Sequence, residues 1–367
     1  MNIVLNKKEF LDALGINLKA VTDKSTMPIL AGVLLEVKDN KLTLKTSDTN
    51  ISIENTIGLL KIKEEGTTVL DAKKLYEIIK KLPEDEVSFV KKDNKINIKS
   101  GKTKISLVHL DENSFPNQPI EDINNSFEID SNVLLDLINS TIFCIASDFT
   151  RPILSGLSFE VINKNLKVVS LDGYRLSYRT IPIDANDFSI VLPGLELKNI
   201  YKLFENINNK IKIEISKKYI EFNFNNTHIQ LKLLDGKYLN YTSIIPKDFK
   251  NEFSFKRKEF LEMIERVRTI FDKEDNLIKL SINNSTITAT TSSFLGEMKD
   301  EISCNIKNPL TEPFDINFNF NYLKDCLSNI KVENVIFQVI GNINPCCVVS
   351  KEDDSFLQLV LPIRIMK

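Results

Sequence analysis

The chain alternates between two hydrophobic patterns, one typical of helices and the other typical of strands. Apolar residues recur at three- and four-residue spacing in the segments 71–82 and 195–204, so each is predicted to be a helix that buries one face. Apolar and polar residues alternate in the segments 211–215, 219–224 and 229–233. A period of two predicts antiparallel strands with one buried face. The chain is therefore predicted to combine helices with antiparallel sheets.

This pattern occurs three times along the chain. A shift of 124 residues aligns 28–48 with 152–172 without a gap and with eight identities in 21 positions, and a more divergent third copy starts near Phe253. Each copy is predicted to contain two rounds of a strand, a helix and several antiparallel strands, which is an α+β architecture. The predicted domains are 1–122, 123–248 and 249–367.

Length, charge and cysteine content narrow the class of protein. A chain of 367 residues is long enough for two or three domains. Its net charge of -2 excludes a protein that holds nucleic acid mainly through overall basicity. The N-terminus has no apolar stretch of secretory length, and the longest apolar run is far too short to cross a membrane, so we expect a cytoplasmic protein without a membrane partner. The five cysteines show no CxxC spacing and are expected to be reduced thiols.

Residues suited to catalysis are scarce. Only two histidines occur, His109 and His228, and both lie in strand-like segments. The motifs that hold phosphates or metals are missing, so we expect no catalytic group, no cofactor and no metal site. Asp148 and Asp172 could bind a divalent cation, which keeps a metal-dependent DNA-processing enzyme as the alternative. Because Asp172 occupies a repeated turn position that Asp48 also occupies, a turn-forming role is favoured for it.

Positive charge is concentrated in the predicted helices. The six helical segments sum to about +3, which leaves about -5 for the strands and loops. The densest group comprises Lys73, Lys74, Lys80 and Lys81. This distribution fits either an ordinary solvated helix face or a surface that faces phosphates without reading sequence.

Five segments together resemble one family, the bacterial DNA polymerase III β subunits, which are sliding clamps. The resemblance covers essentially the whole chain. The segments are Met27-Pro28-Ile29-Leu30 with Thr46-Ser47-Asp48, Arg151-Pro152-Ile153-Leu154, Leu171-Asp172-Gly173-Tyr174-Arg175-Leu176, Leu234-Asp235-Gly236-Lys237-Tyr238, and Leu359-Val360-Leu361-Pro362-Ile363-Arg364.

The resemblance implies a ring made of two copies joined head to tail. Three domains of the DNA clamp fold in each copy would place twelve helices around the hole and antiparallel sheets outside. Helices about 10 Å apart would leave a hole of about 28 Å, wide enough for a DNA duplex. The implied function is that of a non-catalytic processivity factor that encircles duplex DNA without sequence preference. Its implied partners are the DNA polymerase III catalytic subunit, the clamp loader, and other polymerases and repair proteins that carry short linear motifs.

The resemblance also implies three groups of site residues. Lys24 and Arg151 would contact DNA, while Ile105 and Leu107 would pack against Ile270 and Phe271 of the other copy. A pocket for linear motifs, typically a glutamine followed by leucine and phenylalanine, would be formed by Leu154, Leu171, Gly173, Tyr174, Arg175, Leu176, Leu239, Ile244, Asn319, Tyr322, Leu359, Leu361, Pro362, Ile363 and Arg364. Arg175 or Arg364 would orient the peptide. Leu239 replaces a proline and Leu171 a threonine that are frequent in the family, which bears on the shape of the pocket.

Besides a sliding clamp and a metal-dependent DNA-processing enzyme, a structural repeat protein that binds no DNA is a third possibility.

Overall fold

The computed structural model describes residues 1–22, 27–148, 150–205, 207, 209–271 and 276–364. These residues fold into two compact units, one built from Met1–Leu135 and Leu195–Leu233 and the other from Asp136–Gly194 and Leu234–Lys367. Within the described residues, each unit contains two antiparallel sheets.

Six α-helices occur in the described part of the chain, and each directly follows a strand. The helices are α1 (Lys7–Asn17), α2 (Ala72–Lys80), α3 (Ser131–Asn139), α4 (Gly194–Ile200), α5 (Arg257–Arg268) and α6 (Phe320–Ser328). Polar residues at the strand ends start several of them. The side chains of Asn6, Asp71 and Asn319 accept hydrogen bonds from the first-turn amides of α1, α2 and α6.

The first unit holds a five-stranded and an eight-stranded sheet. The five-stranded sheet has the order β5-β1-β7-β8-β9, with β1 (Asn2–Asn6), β5 (Lys61–Glu64), β7 (Glu86–Lys92), β8 (Lys95–Ser100) and β9 (Thr103–Val108). The eight-stranded sheet has the order β10-β15-β16-β17-β4-β3-β2-β6, with β2 (Gly32–Lys38), β3 (Lys41–Ser47), β4 (Ile51–Gly58), β6 (Gly66–Asp71), β10 (Asn125–Asp130), β15 (Lys210–Ile215), β16 (Tyr219–Phe224) and β17 (Thr227–Lys232).

The second unit holds a nine-stranded and a four-stranded sheet. The nine-stranded sheet has the order β14-β11-β12-β13-β26-β25-β24-β18-β22, with β11 (Gly156–Ile162), β12 (Asn165–Leu171), β13 (Arg175–Pro182), β14 (Phe188–Pro193), β18 (Asn251–Lys256), β22 (Asn305–Ile306), β24 (Asn334–Val339), β25 (Cys346–Val349) and β26 (Phe356–Val360). The four-stranded sheet has the order β21-β20-β19-β23, with β19 (Leu277–Ile282), β20 (Thr286–Ser293), β21 (Gly296–Ser303) and β23 (Phe314–Asn319).

The order of elements confirms the predicted α+β repeat. In chain order, each copy consists of a strand, a helix, four or five strands, a second helix and three final strands. The strand pattern at 219–224 corresponds to β16, and the helix pattern at 71–82 corresponds to α2 with one flanking turn. Alternation of burial along β8 and β16 gives each of these strands a core-facing side, as the period of two requires.

Two of the sheets run across the predicted domain boundaries. In the first unit, β17 pairs with β4, with Ile229 opposite Ile53. In the second unit, β13 pairs with β26, with Leu176 opposite Leu359. Because the backbone ladder continues through each junction, parts of different repeats share one sheet. The boundaries 1–122, 123–248 and 249–367 themselves remain a prediction.

Large apolar side chains fill the core of each unit. In the first unit, Phe10 of α1 packs edge-on against Phe89 of β7, with the ring centroids 5.5 Å apart. In the second unit, Phe255, Phe260 and Phe337 form a compact aromatic group. All five cysteines are free and buried. Among the described residues, no helix is long and apolar enough to cross a membrane.

Candidate functional site

The predicted pocket has a buried floor of aliphatic side chains in the second unit. Leu154, Leu171, Leu176 and Leu359 belong to one hydrophobic cluster, and the half-buried Leu361 packs against it. Each of the first four is at most 4% exposed. Because these side chains are buried, they form the floor of the site. The surface that a ligand can reach must come from the residues around them.

A tight turn between β12 and β13 forms one wall of this site. Asp172 Oδ1 accepts hydrogen bonds from the amides of Tyr174 and Arg175, at 2.9 and 3.0 Å. Gly173, between Asp172 and Tyr174, has a φ of 91°, a conformation that residues with a Cβ rarely adopt. The turn presents Tyr174 to solvent with 59% of its surface exposed.

Helix α6 contributes a second aromatic ring beside Tyr174. Asn319 Oδ1 accepts hydrogen bonds from the amides of Asn321 and Tyr322, which fixes the start of the helix. The Tyr322 ring then stacks on the Tyr174 ring, with centroids 5.8 Å apart and planes inclined by 27°. Partial burial raises the pKa of Tyr322 above its ordinary value.

Arg175 lies beside this aromatic pair and is held on several sides. Its guanidinium carbon is 4.6 Å from the centre of the Tyr322 ring and 5.6 Å from that of Phe143. Nε donates to Asp172 Oδ2 at 2.9 Å, Nη1 to Asp325 Oδ2 at 2.6 Å, and Nη2 to the Phe143 carbonyl at 3.0 Å. Burial alone would lower the pKa of Arg175, but the hydrogen bonds to these two carboxylates outweigh it and raise the pKa.

The C-terminal segment that follows β26 passes along the same site. The Leu361 amide donates to the Tyr174 carbonyl at 2.8 Å, and the Ile363 amide donates to the Asn317 carbonyl at 2.8 Å. These two bonds fix the segment between the β12–β13 turn and strand β23. Ile363 and Arg364 are exposed, and Pro362, which precedes them, is half-buried.

The segment 238–245 provides the remaining predicted residues. Tyr238 and Tyr241 are buried in the same cluster as the leucines, and Tyr238 Oη accepts a hydrogen bond from the Leu171 amide at 3.1 Å. Between and after these anchors, Leu239 and Ile244 are exposed to 40% and 41%. An exposed aliphatic residue next to a buried anchor can receive an apolar group at little cost in ordering.

The structure therefore brings most of the predicted pocket residues into two adjoining groups. The aliphatic floor carries Leu154, Leu171, Leu176, Leu359 and Leu361, and the aromatic wall carries Tyr174, Arg175, Asn319 and Tyr322. Sequence reasoning missed Asp325, Tyr241 and Phe143. Nothing in the local pattern distinguishes Asp325 from other helix carboxylates, because its partner lies 150 residues away.

The two aspartates of the enzyme alternative are both engaged in local contacts. Asp172 is engaged by Arg175, and Asp148 accepts hydrogen bonds from the amide and hydroxyl of Thr150, at 2.9 and 2.8 Å. No group of three or more His, Cys, Asp or Glu residues in the described ranges is placed to hold a metal ion. The alternative of a metal-dependent enzyme using Asp148 and Asp172 is not supported, because these carboxylates form local turns.

The predicted contacts with DNA and with a second copy lie elsewhere. Arg151 is exposed, immediately before the short helix Pro152–Ser155, while Lys24 lies outside the described residues. Ile105 and Leu107 are half-buried on β9, which is an edge strand. Phe271 packs mostly inside its own unit, edge-on to Phe320 at 5.7 Å.

Ile270 is half-buried between Phe271 and Thr269. The Thr269 hydroxyl donates a weak hydrogen bond to Met298 Sδ at 3.7 Å, which places the end of α5 beside β21. Strand β21 is an edge strand of the four-stranded sheet formed by the described residues. Ile270 and Phe271, which follow Thr269, therefore lie close to a sheet edge.

Comparison with known proteins covers nearly the whole chain. Residues 1–119, 128–240 and 242–364 match the N-terminal, central and C-terminal domains of the DNA polymerase III beta subunit. The beta sliding clamp of Bacillus subtilis is 29% identical over 378 residues, spanning 99% of this chain and 100% of its own. That of Staphylococcus epidermidis is 28% identical over 376 residues, spanning 99% of both chains.

Solved structures agree with the sequence matches. The crystal structure of the DNA polymerase sliding clamp from Bacillus subtilis superposes with a TM-score of 0.96 at 29% identity, over 100% of both chains. The DNA polymerase III beta chain from Streptococcus pneumoniae gives a TM-score of 0.94 at 29% identity, over 99% of this chain and 100% of its own. The chain belongs to the DNA polymerase III beta subunit family.

Proposed function

We propose that this chain is the processivity factor of a replicative DNA polymerase, a sliding clamp that encircles duplex DNA. The single observation that carries the proposal is the match of all three beta-subunit domains, in order, along a chain whose elements repeat three times. The clamp is a non-catalytic subunit. We place the protein in the cytoplasm. In the proposed ring, its helices line the hole and its sheets lie outside.

Confinement, and not adhesion, keeps such a clamp on DNA. A net charge of -2 is compatible with this because a closed ring needs no tight phosphate contacts. Lys74 and Lys80 are exposed on α2, and Arg151 is exposed at the start of its own short helix. A few exposed cations offset repulsion from the phosphates without slowing the ring. Lys24 completes this proposed set of DNA contacts.

Two free sheet edges provide a way to close the ring. Strand β9 carries Lys104 on its exposed side and Leu107 on its inner side, and β21 carries Glu301 and Met298 in the same way. An antiparallel pairing of β9 with the β21 of another copy can set Lys104 opposite Glu301 and Leu107 opposite Met298. Ile270 and Phe271 support the β21 side of this contact. Because the two surfaces differ, the arrangement is head to tail, and it closes with two copies.

The site formed by the aliphatic floor and the aromatic wall receives linear motifs of clamp-binding proteins. Tyr174, Leu239, Ile244 and Ile363 provide accessible apolar surface, and the half-buried Leu361 packs on the floor. Apolar anchors of a peptide bury against such residues, while a polar group fixes its direction. The users are the DNA polymerase III catalytic subunit, the clamp loader, and other polymerases and repair proteins.

Retention on circular DNA tests the proposal. The protein is loaded by the matching clamp loader onto nicked circular DNA, and the bound fraction is measured before and after the DNA is linearised. A closed ring stays on the circle and slides off after linearisation. Binding that survives linearisation, or cleavage of DNA in the presence of Mg²⁺, would contradict the proposal. A structural repeat protein would not be retained in either state.

Charge reversal separates DNA contact from ring closure. Arg151→Glu is expected to lower the loaded fraction several-fold because it adds repulsion near the phosphates, while the protein remains a dimer. Lys38→Glu changes the charge equally at the exposed end of β2 and serves as the matched control. Dissociation of the dimer by Arg151→Glu would show that Arg151 acts at the subunit contact.

A further inference from the structure

Arg175 is committed to the protein itself. Each of its three guanidinium nitrogens already donates to a protein acceptor, namely Asp172, Asp325 or the Phe143 carbonyl. Its side chain is only 11% exposed. A peptide bound at the site would have to compete with two carboxylates for this cation. Arg175 therefore acts as a support for the site, and of the two predicted arginines Arg364 is the exposed one that can face a peptide.

The surface that Arg175 supports is the aromatic wall. Its guanidinium contacts the Tyr322 ring at 4.6 Å, and Tyr322 stacks on Tyr174 at 5.8 Å. A displaced guanidinium would remove a flat cationic neighbour from one ring and loosen the other. The position of the wall thus depends on what holds Arg175.

Asp325 is the group that ties Arg175 to α6. It lies one turn after Tyr322, so both side chains project from the same face of the helix. The bond from Arg175 Nη1 to Asp325 Oδ2 is 2.6 Å long, which is short for a charge-assisted hydrogen bond. Asp172 holds the other side of the guanidinium at 2.9 Å from within the β12–β13 turn. Arg175 consequently joins the turn that carries Tyr174 to the helix that carries Tyr322.

The same strand carries a second arginine that is held by two carboxylates and serves as a comparison. Arg179, four residues further along β13, donates to Asp353 Oδ2 at 2.6 Å and to Asp136 Oδ2 at 3.0 Å. It has the same two-carboxylate arrangement but its ring neighbour is Phe356, which is buried in the core. Any general effect of breaking an arginine–aspartate bridge in this sheet should appear at both positions, and an effect on the peptide site only at Arg175.

We propose that Asp325 is a positioning residue for motif binding: it holds Arg175 against Tyr322 and thereby sets the aromatic wall. The inference rests on the proposed function, since it concerns the proposed motif site. Asp325 itself does not contact the peptide. It determines whether Tyr174 and Tyr322 are already in place when the peptide arrives, so its removal raises the cost of ordering on binding.

The test measures binding of a labelled synthetic peptide, a glutamine followed by leucine and phenylalanine anchors, to full-length protein by fluorescence anisotropy. Asp325→Ala is expected to weaken binding about tenfold, as loss of a charged hydrogen bond would. Asp325→Glu keeps the carboxylate and should recover most of the affinity. Asp353→Ala breaks the comparable bridge at Arg179 and should leave affinity within twofold of the unmodified protein. Thermal unfolding of all variants confirms that they are folded.

A double-mutant cycle distinguishes positioning from general loosening. In a Tyr322→Ala background, Asp325→Ala should have little further effect, because the ring that it positions is gone. The inference is overturned if Asp325→Ala binds within twofold of the unmodified protein, if Asp353→Ala weakens binding equally, or if the effect persists without Tyr322. If the unmodified protein does not bind the peptide, the proposed motif site itself is wrong, and the inference falls with it.

Discussion

The backbone amide of Leu361 donates a hydrogen bond to the carbonyl oxygen of Tyr174 at 2.8 Å. This bond continues the pairing of β13 with β26 by one more residue, beyond Arg175 opposite Val360. It holds the C-terminal segment against the turn that exposes Tyr174. The end of the chain is thus part of the proposed motif site although it contributes no further strand there.

Deletion of residues 361–367 is expected to abolish peptide binding, because it removes Leu361, Ile363 and Arg364 together. Strand β26 ends at Val360 and stays intact in this variant, so the sheet and the dimer should persist. Peptide affinity is measured by anisotropy and the dimer by sedimentation velocity. Unchanged affinity would remove these residues from the site.

A charge swap tests the proposed register at the ring contact. Lys104→Glu places a like charge opposite Glu301, and because the contact occurs twice in a closed ring, the dimer dissociation constant should rise about tenfold. Glu301→Lys should do the same. The double variant restores opposite charges and should recover most of the loss. Failure of the double variant to recover, measured by sedimentation at several protein concentrations, would contradict this register.

Gly173 allows a test of backbone strain without steric conflict. Its φ is 91°, and nothing lies within 4 Å of the position that a Cβ would occupy. Gly173→Ala should therefore destabilise the second unit by about 1–2 kcal/mol through its backbone conformation alone. At Gly58, too, nothing lies within 4 Å of the position that a Cβ would occupy, but Gly58 has no positive φ, so Gly58→Ala is the matched control. Equal shifts in the thermal midpoint for both variants would exclude strain at Gly173.

Asp353 should contribute to stability in a defined pH range. Burial alone would raise its pKa, but hydrogen bonds from Ser355 and Arg179 outweigh burial and lower the pKa from 3.8. A carboxyl whose pKa is lowered by folding stabilises the folded state at pH values above the pKa that it has in the unfolded chain. This contribution disappears as the pH falls through the pKa of the folded state. The unfolding free energy of the unmodified protein should thus exceed that of Asp353→Asn at pH 7, and the difference should shrink below about pH 4. A difference that is independent of pH would show that packing, and not ionisation, accounts for it.

Local patterns were sufficient to predict the elements and their repetition. The alternation at 219–224 corresponds to β16, and the helical spacing at 71–82 to α2. Such patterns are informative because the side chains that face the core must recur with the period of the backbone. The partner of Arg175 was not predictable in this way, since Asp325 occupies an ordinary half-exposed helix position.

By itself, the sequence determined the threefold module, because the apolar side chains that face the core recur with the period of the backbone. Its short motifs, and not that spacing, indicated the family. The tertiary structure decided how the modules join, through β17 with β4 and β13 with β26. It also decided that Arg175 is held by Asp172 and Asp325. Backbone edges and polar partners carry no periodic signal, so distant strands and charges are matched only when the folded chain brings them together.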